Sequence, residues 1–558
     1  MTTSTSQLFD EQEVFESSWF NTHLQAPGQQ WPRRLLEVSS MTSLERVENQ
    51  NMTYYGSYLA PSYNILTYTW GRWENDKGED AQVKNISWNT PRILTTHFSR
   101  SQLRDTLRRV VGKGCLVWID IACIDQKDPT VKSDEIGRQA AIFEKADQVY
   151  VWFTTHTTTI LQQLLSELAE SYTFCENFLA NDNSNEDVLE WLNVTISAIS
   201  RLLADPWFSS LWTLQEAYLR HDAILLPQEA IPVKWPLSQF PRKATLRDLI
   251  LCFYKLLSVA EQLLATTALP GSDMYSTLKD LAKQIFESGL PMLHDDNPVS
   301  VYGVACFRRP LESLDRVEGI QQIFGMNLTE HGIQDLDKLQ TLMAVELNLR
   351  SPLHAQLFVH MEPAAEGYCW RLSQCVRVPE AVRWVTGRYT KLLRGRLPAE
   401  NLCTVHRTNG QLIFQGFRGS FRELNKAWKR QSLEDYGQDA SHMDVEVPIR
   451  LVQSVFLDLS RHIPSRLQMP YLNFYSPREQ TQMCDSLDCL FGTELQVFIL
   501  GKYNSQAQGL VEDTSQMIAG LLGFDVSGIW VRLGICIWEH SLSRKRSAHW
   551  EQVTITMG

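Results

Sequence analysis

Few residues of this 558-residue chain stand at spacings that do chemistry by themselves. Asp120, Asp125 and Asp128 crowd one loop after an apolar run. Hard cations take oxygen ligands, so such a cluster could bind Mg²⁺ or Ca²⁺. Loop carboxylates more commonly cap helices or accept from backbone amides, and the reading taken is no metal. Ser276-Thr-Leu-Lys279 has the spacing of a serine nucleophile with a lysine base, but a pattern that short arises by chance and is read as plain helix surface. Phosphate-loop, dinucleotide-fingerprint, zinc-protease and nucleophile-elbow motifs are all absent. Tryptophan is the unusual entry, with 17 in the chain. A buried indole needs a partner for its N–H, so this number points to built pockets or interfaces.

Composition narrows the class. With 44% hydrophobic and 21% charged residues the chain is ordinary globular protein. The acidic balance, 64 Asp and Glu against 52 Lys and Arg, argues against a nucleic-acid binder, which needs a basic face. Eleven scattered cysteines without a Cys-x-x-Cys pair fit a reducing compartment. The start of the chain has neither a basic nor an apolar targeting region, and no apolar run is long enough to span a membrane. A cytoplasmic protein with no membrane span is expected.

The elements that must position any site come next. Tyr63–Trp70, Cys115–Ile119, Gln148–Phe153 and Ala223–Leu226 read as strands apolar throughout. Leu103–Val111 has helical spacing, and a helix capped by Ser133 presents Ile136, Ala140 and Phe143 on one face. Another helix falls within Trp207–Arg220. Strands alternating with helices, each strand apolar on both faces, mean a parallel sheet covered on both sides, an α/β fold. Asp315-Arg-Val-Glu318 reads as a capping-box variant opening a helix. Beyond about 340, short apolar runs such as Leu412–Phe417, Leu495–Leu500 and Gly528–Trp538 indicate mixed α+β structure.

Three segments carry a family likeness. Tyr63-Asn-Ile-Leu-Thr-Tyr-Thr-Trp-Gly71, Val117-Trp-Ile-Asp-Ile-Ala-Cys-Ile-Asp-Gln126 and Pro206-Trp-Phe-Ser-Ser-Leu-Trp-Thr-Leu-Gln-Glu216 resemble, in order, the motifs of the fungal heterokaryon-incompatibility (HET) domain. Glu135, Gln139, Ala146 and Val149 follow the second at the family's spacing, and Asp315-Arg316 with Ile323-Phe-Gly325 resembles a segment often found downstream. The sequence departs from the pattern at Ser210, Asp125 and Phe153-Thr154, where arginine, asparagine and Leu-Gly are common. This likeness divides the chain into a partly ordered arm over 1–50, a HET domain over 51–235, a mainly helical region over 236–335 and a mixed α+β region over 336–558.

The same segments resemble TIR domains, which implies a TIR-like parallel sheet flanked by helices. It also implies cleavage of NAD as substrate, with no tightly bound cofactor. By that resemblance Glu216 is the catalytic residue, and Trp70, Gly71, Arg72, Trp73, Asp120 and Trp212 line the nucleotide pocket. The chemistry is sound: nicotinamide leaves NAD as a neutral ring without a general acid, and one carboxylate can stabilise the oxocarbenium-like transition state. On a helical wheel Glu216 falls near Trp212 and away from Leu211, Leu214 and Tyr218. Read as an ordinary helix residue, Glu216 would pair with Arg220 at i+4. The resemblance implies self-association and an activating protein in signalling fungal cell death. The other class of reading is a non-enzymatic module that signals by self-assembly, its Trp-rich segments forming the interface. Cys123 reads as a small buried hydrophobe.

Overall fold

Asn64-Ile-Leu-Thr67 forms a strand buried along its whole length, because β-branched and aliphatic residues with no polar alternation can sit only between two covered faces. In the computed structural model this strand, β5, is an interior strand of an eight-stranded sheet, third from one edge. The structure describes residues 31–69, 74–112, 116–178, 185–237, 242–266, 273–294, 298–310, 312–328, 332–373, 375–379, 382, 400–408, 410–436, 453–464, 467, 477–506, 514–540 and 549–558. The chain divides into two units, one of Trp19–His294 with Val304–Leu339, the other of Met1–Ser18, Asp295–Gly303 and Gln340–Gly558.

In the first unit, β1 (Arg34–Glu37), β2 (Thr42–Asn49), β3 (Met52–Tyr55) and β4 (Tyr58–Leu59) make an antiparallel meander. Residues 34–49, assigned to an arm from sequence, are therefore sheet. Leu35 and Leu36 are fully enclosed, whereas half of β2 is exposed and it owes its place to pairing with β1 and β3. β5 (Asn64–Thr67) and β6 (Glu74–Glu79) lead to α1 (Arg100–Val110), whose N-terminus is closed by a Ser99–Gln102 capping box. β7 (Leu116–Trp118) then precedes α2 (Asp120–Cys123), α3 (Pro129–Gly137) and α4 (Gln139–Lys145). After β8 (Val149–Trp152) come α5 (Thr158–Phe178), α6 (Asn185–Leu203), a 3₁₀ turn (Pro206–Ser209) and α7 (Leu211–Leu219), and then β9 (Ile224–Leu226).

The helix expected from Ser133 begins earlier. Asp128 accepts from the Thr130 and Val131 amides with Pro129 at the first helical position, and the helix breaks at Arg138. The helix expected over Trp207–Arg220 is a 3₁₀ turn followed by α7. Asp315 starts the short helix Asp315–Glu318 without a side-chain cap on it, and its carboxylate accepts from the Glu312 amide upstream.

β5, β7, β8 and β9 are parallel and run in the order β7-β5-β8-β9. β1 joins β7 antiparallel and extends the sheet to β4. From β5 the chain crosses to β7 on one side; from β8 it crosses to β9 on the other. The carboxyl ends of β5 and β8 thus flank a topological switch point, where open α/β sheets leave a crevice for ligands. Asn64 ties the arrangement, donating to the Val110 carbonyl at the end of α1 and accepting from the Gln148 amide before β8. α8 (Leu246–Thr266) and α9 (Asp273–Glu287) complete the helical layers.

The second unit is built on β10 (Val359–His360) paired with β11 (Val376–Arg377), and on a larger antiparallel-rich sheet. That sheet contains β12 (Glu400–Asn401), β13 (Thr404–Thr408), β14 (Gln411–Ser420), β15 (Gln453–Leu457), β16 (Gln496–Gln506), β17 (Thr514–Val526), β18 (Ile529–Glu539) and β19 (Trp550–Met557). Because β14 pairs with both β19 and β16, the strands β16-β17-β18-β19-β14 form a closed circuit. Closure leaves no strand edge within that circuit. Helices Phe421–Tyr436 and Pro477–Phe491 contribute Phe421, Leu424, Trp428, Cys484 and Leu487 to a core shared with Val497, Ile518, Leu533 and Trp538. Arg532 is enclosed and paired with Asp458 at 3.0 Å, while its remaining nitrogens reach Gln356 and the Phe358 carbonyl. Trp370, Trp530 and Trp538, unassigned from sequence, are interior residues of this unit; Trp384 lies outside the described residues.

Candidate functional site

Thr67 is the last residue of β5 and the one polar side chain in its final turn of strand, so it stands at the switch point. Its hydroxyl accepts from the Trp207 indole nitrogen at 3.0 Å and donates to Glu216 Oε2. Two distant parts of the chain, β5 and the 207–216 segment, are thereby joined at the carboxyl ends of the parallel strands.

Each is placed by its own local chemistry. Asp205, enclosed at the end of α6, accepts from the Trp207 amide with one oxygen and from the Thr155 amide and hydroxyl with the other. It therefore fastens the loop leaving β8 to the turn that carries Trp207. The Trp207 ring is 1% exposed and packs edge-on against Phe153 and Phe208. Thr213 closes the turn by donating to the carbonyls of Trp207 and Ser210. α7 buries Leu211, Leu214, Ala217 and Tyr218, leaving Trp212 and Glu216, one turn apart, on its less buried face. Gly319, in the downstream segment, lies where a Cβ would be 3.4 Å from Leu211, so that segment packs closely on α7.

Glu216 carries no ion pair among the described residues. Arg220, its expected partner, is taken elsewhere: it donates to the carbonyls of Phe143 and Ala146, and pairs with Asp222 at 2.7 Å. Burial pushes the Glu216 carboxyl up to about 8, the Thr67 hydroxyl pulling it back and the charge of Asp120 pushing it further. Near neutral pH it is largely protonated.

Glu135 shows the contrast. It is 1% exposed, more enclosed than Glu216, and burial raises its pKa, but Arg138 and the Arg33 amide hold it with an ion pair and a backbone hydrogen bond. Glu135 is a tie between β1 and α3. Glu216 has a hydroxyl where Glu135 has a guanidinium.

Asp120 belongs to the same cluster. It begins α2 at the carboxyl end of β7, accepts from the Ile121 amide at 2.7 Å, and its charge raises both Glu216 and the Tyr68 hydroxyl. That hydroxyl is buried beside Asp120 with no well-formed hydrogen bond among the described residues. Thr67, Tyr68 and Trp207 had not been singled out as site residues. The available signal was a hydroxyl at the carboxyl end of a buried strand, and it points to the site only once the strand order is known.

Trp70, Gly71, Arg72 and Trp73 lie outside the described residues. Trp118 and Trp152 are interior: Trp118 packs on Phe143, and Trp152 packs on Phe98 and Tyr68. Cys123 is fully enclosed and burial raises its thiol pKa far above the usual range, so it is a packing residue. Asp125 accepts from the Lys127 and Asp128 amides and Asp128 caps α3, which accounts for two of the three loop carboxylates. Among the described residues no group of three or more His, Cys, Asp or Glu side chains could hold a metal ion. No described helix is long and apolar enough to cross a membrane.

The α/β sheet and its strand-end carboxyl coincide with a family match. Residues 63–216 fit the family model described as heterokaryon incompatibility protein (HET), beginning at the residue before β5 and ending on Glu216. The chain carries a HET domain over these residues. It is similar to heterokaryon incompatibility protein 6, OR allele, of Neurospora crassa, with 25% identity over 194 residues. That match covers 29% of this chain and 28% of the relative, so it spans less than a third of either. No solved structure matches the chain.

Proposed function

We propose that this protein acts in fungal heterokaryon incompatibility, and that its HET domain drives the response by cleaving NAD at the nicotinamide–ribose bond. The observation that carries the proposal is Glu216. It ends the HET match, sits beside the carboxyl end of β5 at the switch point, and carries a pKa raised by burial with no ion pair among the described residues to offset it. The order β7-β5-β8-β9 supports the TIR-like reading of the sheet, as does the place of Glu216 at strand ends rather than on an outer face.

In this reaction the empty site holds Glu216 mostly neutral. Entry of a positively charged nicotinamide ring favours the carboxylate, because an opposite charge nearby lowers an acid's pKa. The carboxylate faces the ribose and stabilises positive charge as the C1′–N bond breaks and its electron pair leaves with nicotinamide. Water then adds to C1′ and loses a proton, giving ADP-ribose. Trp212, one turn before Glu216, supplies an aromatic wall for the rings. Asp120 offers a second acceptor for ribose hydroxyls. Self-association and an activating protein are the proposed trigger, and the cytoplasm the proposed setting for cell death. The competing reading, a non-enzymatic module assembling through its Trp-rich segments, gains nothing from Trp118, Trp152 and Trp207, which are enclosed.

The test is nicotinamide release from NAD by the full-length chain at high local concentration, comparing wild type with Glu216→Ala. Release by wild type and none by the variant is expected. Undiminished release by Glu216→Ala overturns the role of Glu216, and no release by assembled wild type favours the non-enzymatic module.

A further inference from the structure

We propose that Thr67 is a positioning residue of this site, its hydroxyl, anchored by the Trp207 indole, fixing which oxygen of Glu216 faces the substrate. The kinetic arm of this inference rests on the NAD reading; its stability arm rests on the geometry alone.

An indole nitrogen can only donate, and that of Trp207 donates to Thr67 Oγ1. This occupies a lone pair and leaves the hydroxyl hydrogen to be given away; it goes to Glu216 Oε2. Oε2 of the carboxylate is therefore held as the acceptor, which leaves Oε1 for the ligand. The two oxygens have different duties before any ligand arrives: one is held, the other is the reactive one.

The two anchors are rigid for separate reasons. Thr67 lies in an interior strand, in register with Val151 of β8. Trp207 is fixed through its amide by Asp205, through its carbonyl by Thr213, and through its ring by Phe153 and Phe208. Glu216 alone, on the less buried face of α7, has several rotatable bonds whose freedom would otherwise be lost when the substrate binds. The pair Trp207–Thr67 removes that freedom in advance, which is how a positioned group lowers a barrier without touching the substrate. Residues 67, 207 and 216 reach one point from a strand, a turn and a helix, so the arrangement belongs to the assembled domain and to no single element.

The test uses the full-length chain with Thr67→Val, which keeps shape and removes the hydroxyl, and Thr67→Ser, which restores it. Near-ultraviolet circular dichroism verifies that each variant is folded. Thr67→Val is expected to lower kcat for NAD cleavage by about 10–100-fold with KM changed less than about threefold. Its acid limb should move to higher pH, because the lost donor favoured the ionised carboxyl; Thr67→Ser should recover most of both. Unchanged kcat and an unmoved profile in Thr67→Val, or failure of Thr67→Ser to rescue, overturns the assignment. If wild type cleaves no NAD, the proposed function fails by itself and a second measurement decides on Thr67. The stability gap between a parent and its Glu216→Gln counterpart levels off at the folded-state pKa of Glu216. That pH should be higher on the Thr67→Val background than in wild type, and an unchanged levelling pH overturns the inference.

Discussion

Replacing Glu216 by glutamine should make the protein more stable, and by an amount that depends on pH. In the folded chain burial keeps the proton on this carboxyl up to about pH 8, whereas the unperturbed group gives it up near 4.5. Between those values the folded state binds more protons than the unfolded state, so the contribution of Glu216 is fully present below about 4.5 and is lost as pH rises towards 8. The interval is about 3.5 pH units at about 1.4 kcal/mol each, which sets a ceiling of about 5 kcal/mol. Solvent access to a side chain that is not wholly enclosed reduces this to about 2–3 kcal/mol. Glutamine keeps an oxygen to accept from Thr67 and has no proton to lose. At roughly 1.5 °C per kcal/mol for a unit of about 300 residues, Glu216→Gln should raise the Tm of its transition by about 3–5 °C at pH 8.5. At pH 4.5 the two proteins should melt together. Differential scanning calorimetry of the full chain at both pH values reads the gap directly. An equal gap at the two pH values, or a variant less stable than wild type at pH 8.5, would refute the buried, unpaired carboxyl.

Two further outcomes follow from the ties around the site. Arg138→Met strips the counter-ion from buried Glu135 and should cost about 3–5 kcal/mol in denaturant unfolding, most of it regained when Glu135→Leu is added, since a pair removed together leaves no orphan charge. Asp205→Ala removes the cap on the Trp207 turn and its hold on Thr155, which should cost about 1–2 kcal/mol. Because Trp207 is then released from Thr67, the same variant should also lose NAD cleavage, whereas Arg138→Met assayed under folding conditions should not.

The parallel strands were legible in the sequence because strands covered on both faces leave continuous apolar runs: Cys115–Ile119, Gln148–Phe153 and Ala223–Leu226 each contain the strand observed. β2 left no such trace. Half of its residues are exposed and only one is buried, and it is a strand because β1 and β3 pair with it on either side. The start of α3 was misread because two capping signals compete within six residues. Asp128 with Pro129 prevails over Ser133, whose position falls inside the helix. Glu216 was visible through the family likeness, but local spacing gave it the wrong partner. The i+4 rule sees Arg220 on the same helix; it cannot see the carbonyls of Phe143 and Ala146 that capture Arg220, nor Thr67, 149 residues away in sequence. The closed circuit of the second unit was hidden for the same reason, its β14–β19 ladder joining residues such as Arg418 and Glu551 that lie more than 130 positions apart.

The central claim is that the ribose of NAD meets Glu216 at the carboxyl ends of β5 and β8. A crystal structure of the protein with a carbocyclic NAD analogue, which cannot be cleaved, tests it most directly. The account predicts the carbon equivalent to C1′ about 3–3.5 Å from Glu216 Oε1, with Oε2 still held by Thr67. An analogue bound away from Glu216, or a Glu216 turned from Thr67 to make the contact through Oε2, would contradict it.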